Sequence, residues 1–214
     1  MKILGFNGSP RTSWNTATLL KKGLEGAASQ GAETELIHLY DLDFRGCVSC
    51  FACKTKGGQS YGKCAEKDEL SPVLEEVERA DAILLGSPIY FGAVTGEMRS
   101  FMERLLFPYL TYTNPPQSIF PQKIPTGFIY TMNVSEERLE AFGGQHVAIN
   151  NMIMKMIFGA SETLLSFDTY QFEDYGRVVS DLFDPEKKAR RRVEVFPLDC
   201  EKAFQMGVKL TQKL

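Results

Sequence analysis

The sequence has 214 residues, of which 43% are hydrophobic and 24% are charged, and its formal net charge is −3. These values are typical of a globular protein of one domain, and they give no excess of positive charge that would indicate nucleic-acid binding. No apolar run is long enough to cross a bilayer, and the chain begins directly with a strand pattern, so we expect a cytoplasmic protein with no membrane partner.

Apolar periodicity places strands and helices alternately along the chain. Strands are predicted at about 2–7, 33–39, 82–86, 127–132 and 163–168. Helices are predicted at about 15–29, 69–80, after Gly92, at about 136–158, and from Asp184 onward, where Asp184-Pro185 is typical of a helix start. The basic run at 187–192 is predicted to be a solvated face of this last helix.

Strands that alternate with helices predict a parallel sheet covered by helices on both faces. Right-handed crossovers favour a three-layer α/β/α sandwich of five parallel strands in the order 2-1-3-4-5. We predict one domain over 1–214, with a cysteine-rich loop at 41–67 and a C-terminal helical extension at 184–214. In such a fold, ligands bind at the carboxyl ends of strands one and three, which lead into the loops at 7–16 and 87–96.

The first of these loops runs into a helix and is rich in hydrogen-bond donors. A helix N-terminus leaves backbone N–H groups unpaired and carries a partial positive charge, which suits a phosphate. The glycine pattern matches neither Walker A nor G-x-G-x-x-G, so a nucleoside triphosphate is not favoured. An ordinary capped connection between strand and helix is the alternative. The candidate phosphate ligands are Ser9, Arg11, Ser13, Asn15 and Thr16.

The second loop, Ser87-Pro-Ile-Tyr-Phe-Gly92, has the features that a flat heteroaromatic ring requires. Pro88 stiffens the turn, Gly92 permits a close backbone approach, and Tyr90 or Phe91 supplies an apolar wall. The alternative is a turn that contains two core aromatic side chains. The candidate ring contacts are Ser87, Pro88, Ile89, Tyr90, Phe91 and Gly92, and the loop after the fourth strand adds Thr131 and Asn133.

Two motifs resemble one known family. Gly8-Ser-Pro-Arg-x-x-x-Asn-Thr16 resembles the phosphate loop of the NADPH-dependent FMN reductase branch of the flavodoxin-like superfamily. The segment 80–98, which continues to Phe101-Met-Glu-Arg104, resembles that branch's second flavin loop and the helix after it. The resemblance implies a flavodoxin-like fold and bound FMN, with the phosphate at the first loop and the ring at the second.

The third motif is a cluster of cysteines. Cys47, Cys50 and Cys53 lie within seven residues, and ten more residues separate Cys53 from Cys64. A Cys-x2-Cys-x2-Cys run with a distant fourth cysteine suits a cubane cluster, whereas structural zinc usually takes two separated cysteine pairs. A redox-active dithiol is a further alternative. The loop resembles that of the iron–sulfur flavoproteins, which implies a [4Fe–4S] cluster on these four thiols, although the last spacing is longer than in that branch.

Two functions follow from these resemblances. The first is an FMN oxidoreductase that moves electrons from NAD(P)H to a quinone, a flavin or another small acceptor. The alternative is an iron–sulfur flavoprotein that carries electrons from a ferredoxin-like partner through its cluster to FMN. Both imply a homodimer or homotetramer, for which 107–123 and 169–183 are candidate interface segments. His38 and His146 show no ligand spacing and are predicted to be structural.

Overall fold

A computed structural model describes residues 1–212, so the last two residues of the predicted extension 184–214 lie outside the described part of the chain. Its sheet has five long parallel strands in the order β2-β1-β3-β5-β6 and a two-residue strand, β4, that pairs antiparallel with β3. The long strands follow the predicted order, and the unpredicted β4 changes the numbering of the last two. The strands are β1 (Lys2–Asn7), β2 (Glu33–His38), β3 (Ala82–Tyr90), β4 (Ala93–Val94), β5 (Ile124–Thr131) and β6 (Gly159–Ser166).

Helices cover both faces of the sheet, which confirms the three-layer sandwich. Successive side chains of a strand face opposite sides of the sheet. In β1, Ile3 therefore packs against the helices on one face, called here the first layer, and Leu4 packs against those on the other face, the second layer. No helix within residues 1–212 is both long and apolar enough to cross a membrane. The first layer holds α1 (Asn15–Ser29) and α7 (Phe196–Leu210), the second holds α2 (Leu70–Val77), α3 (Gly96–Leu106) and α5 (Gly144–Phe158), and the shorter helices are α4 (Leu139–Phe142) and α6 (Pro185–Glu194).

The two helices of the first layer touch through their backbones. A Cβ atom added at Gly207 would lie 1.7 Å from the carbonyl oxygen of Gly23, and one added at Gly26 would lie 2.0 Å from that of Phe204. No side chain fits at such distances, so glycine is required at both positions. This contact fixes α7 against α1 and the sheet.

Several predicted bounds were wrong, for local reasons. β3 runs on to Tyr90 instead of ending at Gly86, because Ser87 and Pro88 pair with β5. The predicted helix at 136–158 is broken at Gly143, whose φ of +149° ends α4. The predicted final helix is divided into α6 and α7 at Val195. β5 and β6 begin at Ile124 and Gly159, earlier than the apolar pattern indicated.

Candidate functional site

A cavity of about 140 Å³ opens at the carboxyl ends of β1, β3 and β5. This is the edge at which open parallel sheets bind their ligands. Four segments from distant parts of the sequence meet here, and nine of the predicted cofactor contacts line the cavity: Ser9, Arg11, Asn15, Thr16, Pro88, Ile89, Tyr90, Thr131 and Asn133. Trp14, Met132, Thr169 and Gln171 complete the lining.

The electrostatics of this cavity favour an anion. α1 begins here without a side-chain cap and without an acidic residue in its first turn. Its first backbone N–H groups and its partial positive charge are therefore available to a ligand. Among the described residues that line the cavity, Arg11 is the one with a charged side chain.

Hydrogen bonds within the first loop fix its shape. The backbone N–H of Ser9 donates to Asn7 Oδ1 at 3.1 Å, and the N–H of Arg11 donates to Ser9 Oγ at 3.1 Å. The hydroxyl of Thr95 donates to the carbonyl of Gly8 at 2.6 Å, which ties the first loop to the start of α3. The loop is thus held in place by its own side chains and by a neighbouring element.

Four predicted contacts do not line the cavity. Ser87 is fully buried and accepts a hydrogen bond from the N–H of Thr95 at 3.1 Å, so it fixes the β3–β4 hairpin from within. Phe91 and Gly92 form the turn of that hairpin with φ of +50° and +82°, and Phe91 is fully exposed. Ser13 is exposed and lines an adjoining cavity of about 670 Å³ on the outer side of the first loop, which shares Arg11, Trp14 and Gln171 with the cavity at the sheet edge.

Segment 169–171, which sequence reasoning treated only as a possible interface, holds two of the loops. The carbonyl of Tyr170 accepts hydrogen bonds from Trp14 Nε1 at 3.1 Å and from Asn15 Nδ2 at 2.8 Å. Gln171 Oε1 accepts from Asn133 Nδ2 at 2.8 Å, and the Gln171 carbonyl accepts from Arg11 Nη1 at 2.7 Å. In the sequence, the one sign that this segment holds the loops is its position directly after the fifth long strand.

The basic run on α6 is only in part the solvated face that the sequence predicted, since Lys187 and Arg190 are exposed but other members are not. Lys188 is buried, and its Nζ donates to Asp168 and to both oxygens of Asn133. Arg192 Nη1 donates to Asn15 Oδ1 at 2.8 Å. Burial lowers the pKa of Lys188, although Asp168 acts in the opposite direction. α6 therefore anchors two predicted cofactor contacts, one in the first loop and one after β5.

The cysteine loop does not assemble a metal site. Cys47 and Cys50 are exposed, whereas Cys53 is buried, and burial is the main cause that raises its pKa. Cys64 Sγ accepts a hydrogen bond at 3.3 Å from Nε of Arg104, a fully buried side chain that also pairs with Asp68. Within residues 1–212, no three or more His, Cys, Asp or Glu side chains are arranged to hold a metal ion.

The model of the NADPH-dependent FMN reductase family matches residues 1–124, which is more than half of the chain. The chain belongs to this family. Its relatives include iron–sulfur flavoproteins of Methanocaldococcus jannaschii, 39% identical over 104 residues, and of Archaeoglobus fulgidus, 41% identical over 104 residues. Each match covers 49% of this chain, and 51% and 48% of the respective relative, so the chain spans about half the length of the relatives it matches.

Solved structures with the same fold cover almost the whole chain. The NAD(P)H:quinone oxidoreductase of Methanothermobacter marburgensis matches with a TM-score of 0.68 and 17% identity over 98% of both chains. An azoreductase of Bacillus anthracis matches with a TM-score of 0.68 and 14% identity over 98% of this chain and 99% of its own. A flavodoxin from Archaea matches with a TM-score of 0.51 and 16% identity, over 98% and 96%. At these identities the matches establish the flavodoxin-like fold.

The cavity of this FMN reductase family member fits the phosphate end of FMN. Its one charged side chain is a cation, its helix N-terminus is uncapped, and Ser9, Asn15 and Thr16 supply further polar groups. A volume of about 140 Å³ is below the roughly 300–1,000 Å³ of sites that enclose a small molecule, so the cavity would enclose only part of the cofactor.

The four cysteines do not fit a cubane cluster as the structure arranges them. A cubane requires four thiolates around one centre. Within residues 1–212 these thiols do not form a group that could hold a metal ion, and Cys53 is buried while Cys47 and Cys50 are exposed. The predicted ligand set Cys47, Cys50, Cys53 and Cys64 is therefore not assembled.

Proposed function

We propose that this protein is an FMN-dependent oxidoreductase that moves electrons from NAD(P)H to a quinone, a flavin or another small acceptor. The observation that carries the proposal is the cavity built from four segments at the sheet edge, whose one charged lining side chain is Arg11. Membership of the NADPH-dependent FMN reductase family supports FMN as the ligand.

In this proposal the first loop holds the phosphate. The N–H groups at the start of α1 would donate to its oxygens, and Arg11 would supply a charge-assisted hydrogen bond. Asn15 is already oriented by Tyr170 and Arg192, and Thr16 by Thr131, so neither side chain has to be ordered when the ligand binds. Such preorganisation reduces the entropic cost of binding.

The hairpin and the loop after β5 would hold the ring. Pro88, Ile89 and Tyr90 line the cavity from the hairpin, and Thr131 and Asn133 line it from the end of β5 and the loop after it. Bound FMN would supply the redox chemistry, accepting a hydride or electrons at N5 and passing them to the acceptor. Tyr90 is 47% exposed and Phe91 is fully exposed, so apolar surface beside the cavity is open to a flat substrate.

We further propose a homodimer or homotetramer. Large apolar side chains beside the cavity and on the outer face of α5 are exposed, among them Phe142, Ile149, Met152 and Met156. Contiguous exposed apolar surface commonly marks an interface. Light scattering after size-exclusion chromatography tests this proposal, and a monomer with bound FMN would contradict it.

A second function is supported by the names of the relatives and by the four cysteines at 47–64: an electron carrier that takes electrons from a ferredoxin-like partner. Because the thiols are not assembled around one centre, a cluster would require the loop to rearrange. Iron and acid-labile sulfide measured on protein purified without oxygen test this candidate. About four of each per chain would favour it.

The decisive experiment for the first function is anaerobic reduction. Protein loaded with FMN is mixed with NADPH, and separately with NADH, and the visible absorbance of the flavin is followed. Rapid bleaching, followed by recovery of colour when a quinone is added, supports the oxidoreductase. Loss of colour only with a reduced ferredoxin, and with neither nicotinamide, would favour the electron carrier.

A further inference from the structure

His146, at the start of α5, contacts the hairpin formed by β3 and β4. Its Nε2 accepts a hydrogen bond from the backbone N–H of Val94 at 3.2 Å, and Nδ2 of Asn150 lies 3.0 Å from the same nitrogen. Asn150 is buried and also donates to Tyr130 Oη at 3.3 Å. Because two donors converge on Nε2, this nitrogen carries no proton, and the imidazole is the neutral form with its proton on Nδ1.

A second contact joins the same two parts of the chain. A Cβ atom added at Gly143 would lie 3.2 Å from the carbonyl oxygen of Gly92, and one added at Gly92 would lie 3.5 Å from that of Phe142. The turn before α5 is thus packed on the turn of the hairpin, backbone to backbone. The hairpin is therefore supported from outside by 142–146, at its tip by Gly143 and along β4 by His146.

We propose that His146 is a positioning residue for the flavin: in its neutral form it holds the β3–β4 hairpin in place, and when it gains a proton it releases the hairpin. The inference rests on the proposed function, because it takes Pro88, Ile89 and Tyr90 as the residues that contact the ring. His146 does not line the cavity and would act only through the backbone at Val94.

Protonation would break the contact for a geometric reason. A proton from solvent that binds Nε2 turns the acceptor into a donor, which then faces the N–H of Val94. The side-chain amide of Asn150 can turn to present its oxygen to the imidazolium. The N–H of Val94 has no such freedom, because the pairing of Val94 with Ile89 fixes the direction of the β4 backbone. Two donors face one another, so the strand has to move away.

The groups around His146 favour the neutral form. Burial, and then the positive charge of Arg99 on α3, lower the pKa of His146. From β5, Tyr130 is uncharged, since burial raises its pKa. On α4, the helix that precedes α5, the carboxylate of Glu140 lies against Gly144, two residues before His146. From the hairpin, the group that meets the imidazole is a backbone N–H.

The direction of the pH effect follows from this shift. With the hairpin in place, the pKa of His146 is below its ordinary value of about 6.5, which we take for the released hairpin. The released form therefore binds more protons. The support is fully present above about pH 6.5 and is lost as the pH falls below that value.

The test compares the wild type with His146→Gln and His146→Ala, all as full chains. Glutamine retains an acceptor oxygen and does not titrate, whereas alanine has no acceptor. The dissociation constant of FMN is measured between pH 5 and 8. The FMN phosphate itself titrates near pH 6, so the measured quantity is the ratio of each variant's constant to that of the wild type.

We expect His146→Gln to match the wild type at pH 8 and to bind FMN about three- to tenfold more tightly than the wild type at pH 5, the value of one hydrogen bond. His146→Ala should bind about three- to tenfold more weakly at pH 8. In the protein without FMN, the protection of segment 89–94 against hydrogen exchange, corrected for the pH dependence of intrinsic amide exchange, should fall at low pH in the wild type and stay constant in His146→Gln.

Three outcomes would overturn the inference. A constant ratio for His146→Gln across the pH range, with unchanged protection at 89–94 in the wild type, would show that His146 does not act on the hairpin. If a variant unfolds at pH 8, judged by circular dichroism, the wild type alone decides, and a protection of 89–94 that does not fall at low pH would overturn the inference. If the wild type at pH 8 binds no FMN, the proposed function fails and this inference fails with it, whereas the first outcome leaves the proposed function intact.

Discussion

The hydroxyl of Thr16, in the first turn of α1, lies 2.8 Å from the hydroxyl of Thr131 at the carboxyl end of β5. Both side chains are buried. Because β3 lies between β1 and β5 in the sheet, this bond spans the strand between them and joins the first loop to the loop after β5. The two sides of the cavity are thus fixed relative to each other before any ligand binds.

Thr131→Val should weaken both the fold and the binding of FMN. Valine has the shape of threonine but leaves the hydroxyl of Thr16 without this buried partner, which costs about 1–3 kcal/mol of unfolding free energy. We expect FMN affinity to fall about tenfold, because Thr16 then has to be oriented on binding. Urea unfolding and a titration of flavin fluorescence measure the two effects.

Thr126→Val is the matched control for this variant. Thr126 is on the same strand, is buried, and donates from Oγ1 to the carbonyl of Ala160 at 2.8 Å, away from the cavity. It should lose a similar amount of stability and keep its affinity for FMN. An equal loss of affinity in both variants would contradict a specific role of the bond between Thr16 and Thr131.

Arg11→Gln should reduce the affinity for FMN by about tenfold or more and leave the affinity for riboflavin unchanged, since riboflavin has no phosphate. A hydrogen bond to a charged group contributes about 1.5–3 kcal/mol, and the exposure of Arg11 favours the low end. The dependence of FMN binding on salt should also weaken. Calorimetric titrations with both ligands measure the difference.

Arg177→Gln provides a charge-matched comparison for Arg11→Gln. Arg177 is exposed and lines the outer cavity near the first loop, but not the cavity at the sheet edge. It should leave the preference for FMN over riboflavin unchanged. If Arg11→Gln weakens both ligands to the same extent, the phosphate is not bound at this arginine.

Lys188→Met should destabilise the fold and weaken FMN binding together. Methionine keeps much of the side chain's length but removes the charge that pairs with Asp168 and the donor that holds Asn133. The side chain of Asp168 is 38% exposed and can be solvated, so we expect a loss of about 1–3 kcal/mol of unfolding free energy, less than for a fully buried pair.

Lys187→Met is the control, because it removes the same charge at the exposed neighbouring position. It should change neither the unfolding free energy nor the affinity for FMN. Similar losses in both variants would mean that total charge matters, and not the contact.

The sequence predicted the parts of this site that depend on neighbouring residues. The strand, loop and helix at 2–29 follow from local apolar periodicity and polar residues, and the structure has the same elements. Residues 87–96 were predicted as a loop that contacts the ligand, and the β3–β4 hairpin within it was not predicted. Ser87 and Pro88 are in a strand because they pair with β5, a segment about forty residues later, whereas Ile89 and Tyr90 pair with β4. The contact between Arg192 and Asn15 joins residues 177 positions apart, and no local pattern indicates it.

The arrangement of the cysteine loop also depends on a contact between residues that are far apart in the sequence. Three thiols within seven residues predicted a shared ligand set, and sequence spacing alone could not reveal that Arg104 bonds to the fourth. This buried guanidinium joins Cys64, Asp68 and the carbonyl of Arg45 at one point below the loop. The loop is therefore anchored by an ion pair with the α3 helix.

Asp68→Asn tests this anchor through its dependence on pH. Burial raises the pKa of Asp68, but the hydrogen bonds and charge of Arg104 outweigh that effect and lower the pKa overall. An acid with a lowered pKa stabilises the fold above its ordinary pKa, about 3.9, and this contribution is lost as the pH falls below it. At pH 7 the variant should lose about 3 kcal/mol of unfolding free energy, since it leaves the buried charge of Arg104 without its partner.

Urea unfolding at pH 7 and at pH 3 measures this effect. The difference between Asp68→Asn and the wild type should shrink at pH 3. The control Asp181→Asn, at an exposed position, should differ from the wild type at neither pH. A difference for Asp68→Asn that stays constant from pH 7 to pH 3 would show that the ionised carboxylate of Asp68 does not contribute to the free energy of unfolding.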